Sequence, residues 1–148
     1  MSADSHSFPV NLRSAQRGYG HFSAVLSGDA DDVPPVRRAV HDVAVANGFG
    51  DRSSDLALAL DELLANAREH GRPPIQVETW YDGRVVLEVT DSGDGFSPRL
   101  PTDLPARADD GGRGLWIIRQ IADHVAITSS DRGTTVRVEM SHEPHIGA

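Results

Sequence analysis

The 148 residues contain no cysteine. Disulfides, zinc–thiolate sites and thiol catalysis are therefore excluded. Lysine is absent too: all 14 Lys-or-Arg residues are arginine. A Walker A loop needs a lysine on the phosphates, and a protein kinase of the common eukaryotic fold needs one on its third strand. Schiff-base chemistry falls with them, so any nucleotide chemistry here must use another solution. No run of 18 apolar residues occurs, which excludes a helical membrane span. Residues 1–20 are polar and lack the apolar region of a signal peptide, so a cytoplasmic location is expected. A net charge of −8 argues against nucleic acid as the main partner.

What is present is one domain's worth of ordinary composition, 39% hydrophobic and 24% charged. Its organising stretch runs from Ser54 to Gly71. Ala, Leu, Glu and Arg predict a helix. Ser53 or Ser54 suits its N-cap, and Gly71 suits a left-handed C′ position ahead of Pro73 and Pro74. Leu56, Ala59, Leu60, Leu63 and Ala67 recur at helical spacing and predict its buried face. Glu62, Asn66 and His70 form a second stripe, one turn apart. A solvated face is the plain explanation for that stripe. The alternative is a site in which Asn66 gives an oxygen ligand to a hard cation and Glu62 acts as base.

In chain order, residues 1–20 read as a flexible arm, 21–141 as the folded domain and 142–148 as a flexible tail. A short strand is expected at Phe22–Ser27, and a helix at Val33–Asn47 with Pro34 and Pro35 in its first turn. Ile75–Tyr81 and Val85–Thr90 flank Asp82-Gly83 and predict a hairpin. Residues 91–112 show no element, and their prolines and glycines suit a lid. A helix at Gly114–Asp123 and a second hairpin, Val125–Ser129 with Thr134–Met140, complete the chain. This order predicts a two-layer α/β sandwich with three helices on one face of a mixed, mostly antiparallel sheet.

Three glycine-bearing stretches add chemistry. Asp91-Ser92-Gly93-Asp94-Gly95 leaves a strand end, where it is either a β-turn or a place for backbone to approach a flat ligand. Gly112-Arg113-Gly114-Leu115 opens a helix, as a phosphate clamp or a hinge. Gly133-Thr134-Thr135 enters the last strand. Taken in order with Glu62-x-x-x-Asn66, these resemble the N, G1, G2 and G3 boxes of the GHKL (Bergerat-fold) ATP-binding superfamily, over roughly residues 22–140.

The resemblance implies ATP and Mg²⁺ as cofactors. It makes Glu62 the general base and Asn66 the Mg²⁺ ligand between the phosphates. Asp91 would accept from the adenine amino group, with Gly93 and Gly95 letting the backbone reach the base. Gly112, Arg113, Gly114 and Leu115 would form the phosphate box, and Thr134 or Thr135 would back the adenine. Asp61, beside Glu62, leaves the choice of base open. The 148 residues hold no phosphoacceptor-helix pair and no transducer domain, so the chain looks like the small bacterial anti-sigma factor and serine-protein kinase group. That group implies a sigma factor and an anti-anti-sigma antagonist as partners, and a possible homodimer. The alternative is a nucleotide-gated binding module that transfers no phosphoryl group.

Overall fold

The computed structural model describes residues 11–12, 20–93 and 113–141. Its elements are β1 (Asn11–Leu12), β2 (His21–Leu26), α1 (Val33–Ala46), α2 (Ser53–His70), β3 (Ile75–Tyr81), β4 (Val85–Thr90), α3 (Arg113–Ile121), β5 (His124–Ser130) and β6 (Gly133–Met140). Short 3₁₀ turns, Ala30–Asp32 and Gly50–Arg52, lead directly into α1 and α2. The six strands order as β1-β2-β3-β4-β6-β5. Every neighbouring pair is antiparallel, so the parallel pairing allowed for in a mixed sheet does not occur among the described residues. The crossover from β4 through α3 places β5 one position too far to pair with β4, and β6 returns into the gap.

The inward rows follow from the period of two in each strand. Phe22, Ala24 and Leu26 pair across from Thr79, Val77 and Ile75. Leu87, Val89, Val136 and Val138 continue the same face. The helices meet it with Val36 and Val40 of α1, Leu56, Leu60, Leu63 and Leu64 of α2, and Leu115 and Ile118 of α3, all buried. The opposite face of the sheet is polar: Arg137 lies over the Trp80 ring at 5.3 Å and pairs with Glu88 and Glu139.

Three local expectations change. Residues 11–12, read as part of an arm, pair with β2 as an edge strand. Ser53 and Ser54 do not cap α2: the helix grows out of the 3₁₀ turn, and the Ser53 hydroxyl donates to the Gly50 carbonyl at 2.9 Å. Gly71 is not left-handed. Its φ of −107° and ψ of −155° are extended, so its lack of a side chain has another cause, taken up below.

The buried Arg52 joins the start of α2 to the far end of α3. Its guanidinium donates to the Ser141 carbonyl at 2.9 Å, to the Ile121 carbonyl, and to Asp123 Oδ2 at 3.4 Å. Burial alone would push the Asp123 carboxyl up. Hydrogen bonds from the Ser141 N–H and hydroxyl, together with Arg52, outweigh it and hold the group below the ordinary carboxylate range. A carboxyl lowered on folding adds stability above its unfolded pKa and loses it as pH falls through the folded value. Arg52→Met should therefore cost about 3–5 kcal/mol at neutral pH, the usual result of stranding one partner of a buried pair. Urea midpoints check this, and the cost should shrink once acid protonates Asp123.

Candidate functional site

Helix α2 presents two neighbouring acids to different sides. Asp61 turns to α1 and pairs with Arg37 at 3.0 Å. Glu62, a further 100° round the helix, faces the start of α3. There a Cβ on Gly114 would stand 2.5 Å from Glu62 Oε1. The glycine lets the opening turn of α3 lie directly on the carboxylate. Of the two acids, Glu62 is the one that packs against the start of α3, while Asp61 is engaged with α1.

Burial is the main reason the Glu62 carboxyl lies above the ordinary carboxylate range, with Asp61 and Glu69 adding repulsion. A raised carboxyl opposes folding once ionised, because the native state binds the proton more tightly than the unfolded chain does. Stability from this group is complete below the unfolded pKa and falls as pH rises through the folded one. Glu62→Gln should consequently raise the melting temperature at pH 7 and leave it unchanged near pH 4, as differential scanning calorimetry at the two values would read. A melting point lowered at pH 7 would mean that the ionised carboxylate stabilises the native state.

Asn66 sits one turn beyond Glu62 and is half-buried. Its carboxamide is the oxygen donor that a hard cation takes. Among the described residues, no group of three His, Asp or Glu could hold a metal alone. A single carboxamide oxygen is compatible with Mg²⁺, which takes one or two protein oxygens and completes its shell from phosphates and water. His70 lies exposed at the end of the helix.

The same end of α2 meets the end of β4. Asp91 continues the inward row of β4 and is 4% exposed. Its Oδ1 accepts from the Gly93 N–H at 2.9 Å, and its own N–H donates to the Thr134 carbonyl at 2.9 Å. Ser92 is tied to the segment after α2, with its N–H on the Arg72 carbonyl at 2.8 Å and its hydroxyl on the Pro74 carbonyl at 2.7 Å. Gly71, Gly93 and Gly133 all lie against Asp91. Thr134 is buried beside it on the inward face and shares a 3.0 Å hydrogen bond with Ser129.

The other residues read from sequence separate from this cluster. Thr135 points to the opposite face of the sheet, where its hydroxyl meets that of Thr90 at 2.9 Å. Period-two alternation allows only one of the two threonines inward, and it is Thr134. Leu115 is buried in the core with Ile118 rather than at the site. Gly95, Gly112, the Arg113 side chain and the lid segment 94–112 lie outside the described residues. Gly71 escaped notice as a site residue, because a glycine between a helix and two prolines reads as a cap.

A second surface feature stands on the flank of the helical layer. A cavity of about 510 Å³ lies between α1 and the start of α2, lined by Arg37, Arg38 and His41 on one side and Ser53, Ser54 and Ala57 on the other. Val45 and Leu58 follow one turn beyond His41 and Ser54, and are the exposed large hydrophobic residues among those described.

A family model described as the histidine kinase-like ATPase domain matches residues 26–140. The chain is 48% identical over 52 residues to the sensor protein CseC of Streptomyces avermitilis, a stretch that is 35% of this chain and only 10% of that protein. Among solved structures, the histidine kinase domain of the Erythrobacter litoralis EL346 blue-light activated histidine kinase aligns with a TM-score of 0.48 at 18% identity, covering 74% of this chain and 63% of that one. Among the described residues no helix is long and apolar enough to cross a membrane. With the family model matching from the end of β2 through β6, all three helices included, this chain belongs to the histidine kinase-like ATPase domains of the GHKL superfamily.

Proposed function

We propose that this chain is an ATP-dependent protein serine kinase of the anti-sigma type, which holds a sigma factor and phosphorylates a serine of the antagonist that releases it. The observation that supports transfer, rather than binding alone, is the packing of Gly114 on the Glu62 carboxylate. It brings the acid of α2 to the helix opened by the phosphate box, and a binding module has no use for a base there. Asn66 would hold Mg²⁺, which when bound neutralises phosphate charge. Asp91 would take the adenine amine, backed by Thr134.

In the transfer step, the serine hydroxyl gives its proton to Glu62 as its oxygen bonds to the γ-phosphorus. The bond from that phosphorus to the β-bridging oxygen breaks, and ADP leaves with the electron pair. The partner surface that fits is the groove between α1 and α2. On a chain of net charge −8 it offers Arg38 and His41 beside the Arg37–Asp61 pair, and exposed Val45 and Leu58 follow one turn further along the same two helices. An acidic segment of the partner protein, bearing apolar side chains, complements it.

The experiment is calorimetric titration with Mg-ATP, followed by transfer of labelled γ-phosphate to a purified antagonist. ATP at about 100 times its Kd should stabilise the chain by about 2.7 kcal/mol. The product bond should survive acid and yield to base, as a phosphoserine does. An acid-labile product would assign histidine transfer instead. Tight ATP binding without transfer to any partner would leave the nucleotide-gated module as the function.

A further inference from the structure

We propose that Gly71 is a specificity-determining position of the nucleotide site, acting through Asp91: it leaves the space in which the carboxylate is held for an exocyclic amine. The inference rests on the reading above that Asp91 meets the adenine amino group.

Nothing in the backbone asks for glycine at 71. The residue is extended, a conformation open to any side chain, and its N–H makes an ordinary terminal helix bond to the Ala67 carbonyl at 3.0 Å. The space asks for it. A Cβ at 71 would stand 2.2 Å from Asp91 Cγ, 2.5 Å from Oδ2 and 2.6 Å from Asp91 Cβ. No rotation of the aspartate relieves the last contact, since Asp91 Cβ is fixed by the backbone.

That backbone cannot retreat cheaply. Its N–H is hydrogen-bonded to the Thr134 carbonyl, and its own carbonyl lies against Gly133, the residue before Thr134. The next residue, Ser92, is tied twice to the segment that follows Gly71. Gly71 and Asp91 are thus two sides of one stitched ledge. With Oδ1 engaged by the Gly93 N–H, Oδ2 is the oxygen that faces Gly71. A methyl group at 71 must displace the carboxylate.

The test compares ATP with ITP, which carries a carbonyl where ATP carries the 6-amino group. A carboxylate positioned for the amine should make the parent prefer ATP by about 10–100-fold, the scale of a charged hydrogen bond. Gly71→Ala should lose ATP affinity by a similar factor while ITP affinity changes less than about twofold, so that the preference collapses. A general structural defect would weaken both nucleotides alike, and a preserved ATP preference in Gly71→Ala overturns the proposal while leaving Asp91 as the adenine acceptor. Equal binding of the two nucleotides by the parent overturns the adenine reading itself and the proposal with it. A thermal cycle guards against a variant too unstable to titrate. Gly71→Ala should lower the melting temperature strongly alone and far less in an Asp91→Gly background, where the obstructing atoms are gone. Equal losses in the two backgrounds would show that Gly71 does not act through Asp91.

Discussion

Glu62→Gln should bind Mg-ATP as the parent does and transfer its γ-phosphoryl group about 10²–10⁴-fold more slowly, the usual contribution of a positioned base. Glutamine keeps the length and helix propensity of glutamate, so α2 and its contact with Gly114 persist. What it lacks is the proton acceptor for the incoming hydroxyl. The partial burial that lifts the Glu62 carboxyl also makes it a better acceptor than an exposed glutamate, because catalysis improves as the pKa of a base approaches the working pH. Transfer should accordingly rise with pH through a value above the ordinary carboxylate range, and that limb should vanish in Glu62→Gln. Asn66→Ala should behave otherwise, losing Mg²⁺-dependent ATP affinity together with transfer. The two variants therefore separate base from ligand: affinity by calorimetry, transfer by labelled phosphate. Parental transfer by Glu62→Gln would remove it as the base. Asp61 would then be hard to substitute for it, since its carboxylate is engaged with Arg37.

Much of this was legible in the residues because periodicity reports which face is buried. Ile75–Tyr81 alternates and Val85–Thr90 follows it across Asp82-Gly83, and the structure places both strands at those bounds. The five apolar residues chosen for the face of α2 are all buried. Of the candidate site, the order of carboxylate, carboxamide and glycine-bearing turns could be read in the sequence, and the structure places Glu62 against Gly114 and Asp91 against Gly71, Gly93 and Gly133. What stayed hidden depends on contacts between distant segments. Whether Thr134 or Thr135 faces inward is a matter of register, fixed only when β6 pairs with β4 and β5. That Asp61 belongs to α1 and Glu62 to α3 requires the helix packing. The role of Gly71 needs both the end of α2 and the end of β4, and neither segment alone announces the other. The Arg52 clamp likewise joins residues 69 and 89 positions apart in sequence.

The same reasoning ranks three glycines, with Gly133 expected to tolerate substitution worst. Gly50 has open space about a Cβ and no left-handed φ. Gly50→Ala should be neutral or stabilise by about 0.4–1 kcal/mol, because alanine restricts the unfolded chain. Gly83, in the β3–β4 turn, also has open space but a φ of +74°. Gly83→Ala should cost about 1–2 kcal/mol for the left-handed backbone alone. Gly133 combines a φ of +141° with a Cβ that would fall 2.0 Å from the Asp91 carbonyl oxygen. Neither side can yield, since Asp91 is hydrogen-bonded to Thr134, the next residue of β6. Gly133→Ala should therefore cost about 4 kcal/mol or more, in the range reached only by a few mechanisms. At about 2–4 °C per kcal/mol for a domain of this size, that is a loss on the order of 10 °C in melting temperature. Because the displaced atom belongs to Asp91, ATP affinity should fall with it even where the variant remains folded. Gly83→Ala, in the turn at the other end of β4 from Asp91, should bind ATP normally. Thermal melts of the three variants, with and without nucleotide, check the order. A Gly133→Ala variant as stable as Gly83→Ala would show that the ends of β4 and β6 are looser than their hydrogen bonds imply, and would weaken the case that Asp91 is held rigidly for a ligand.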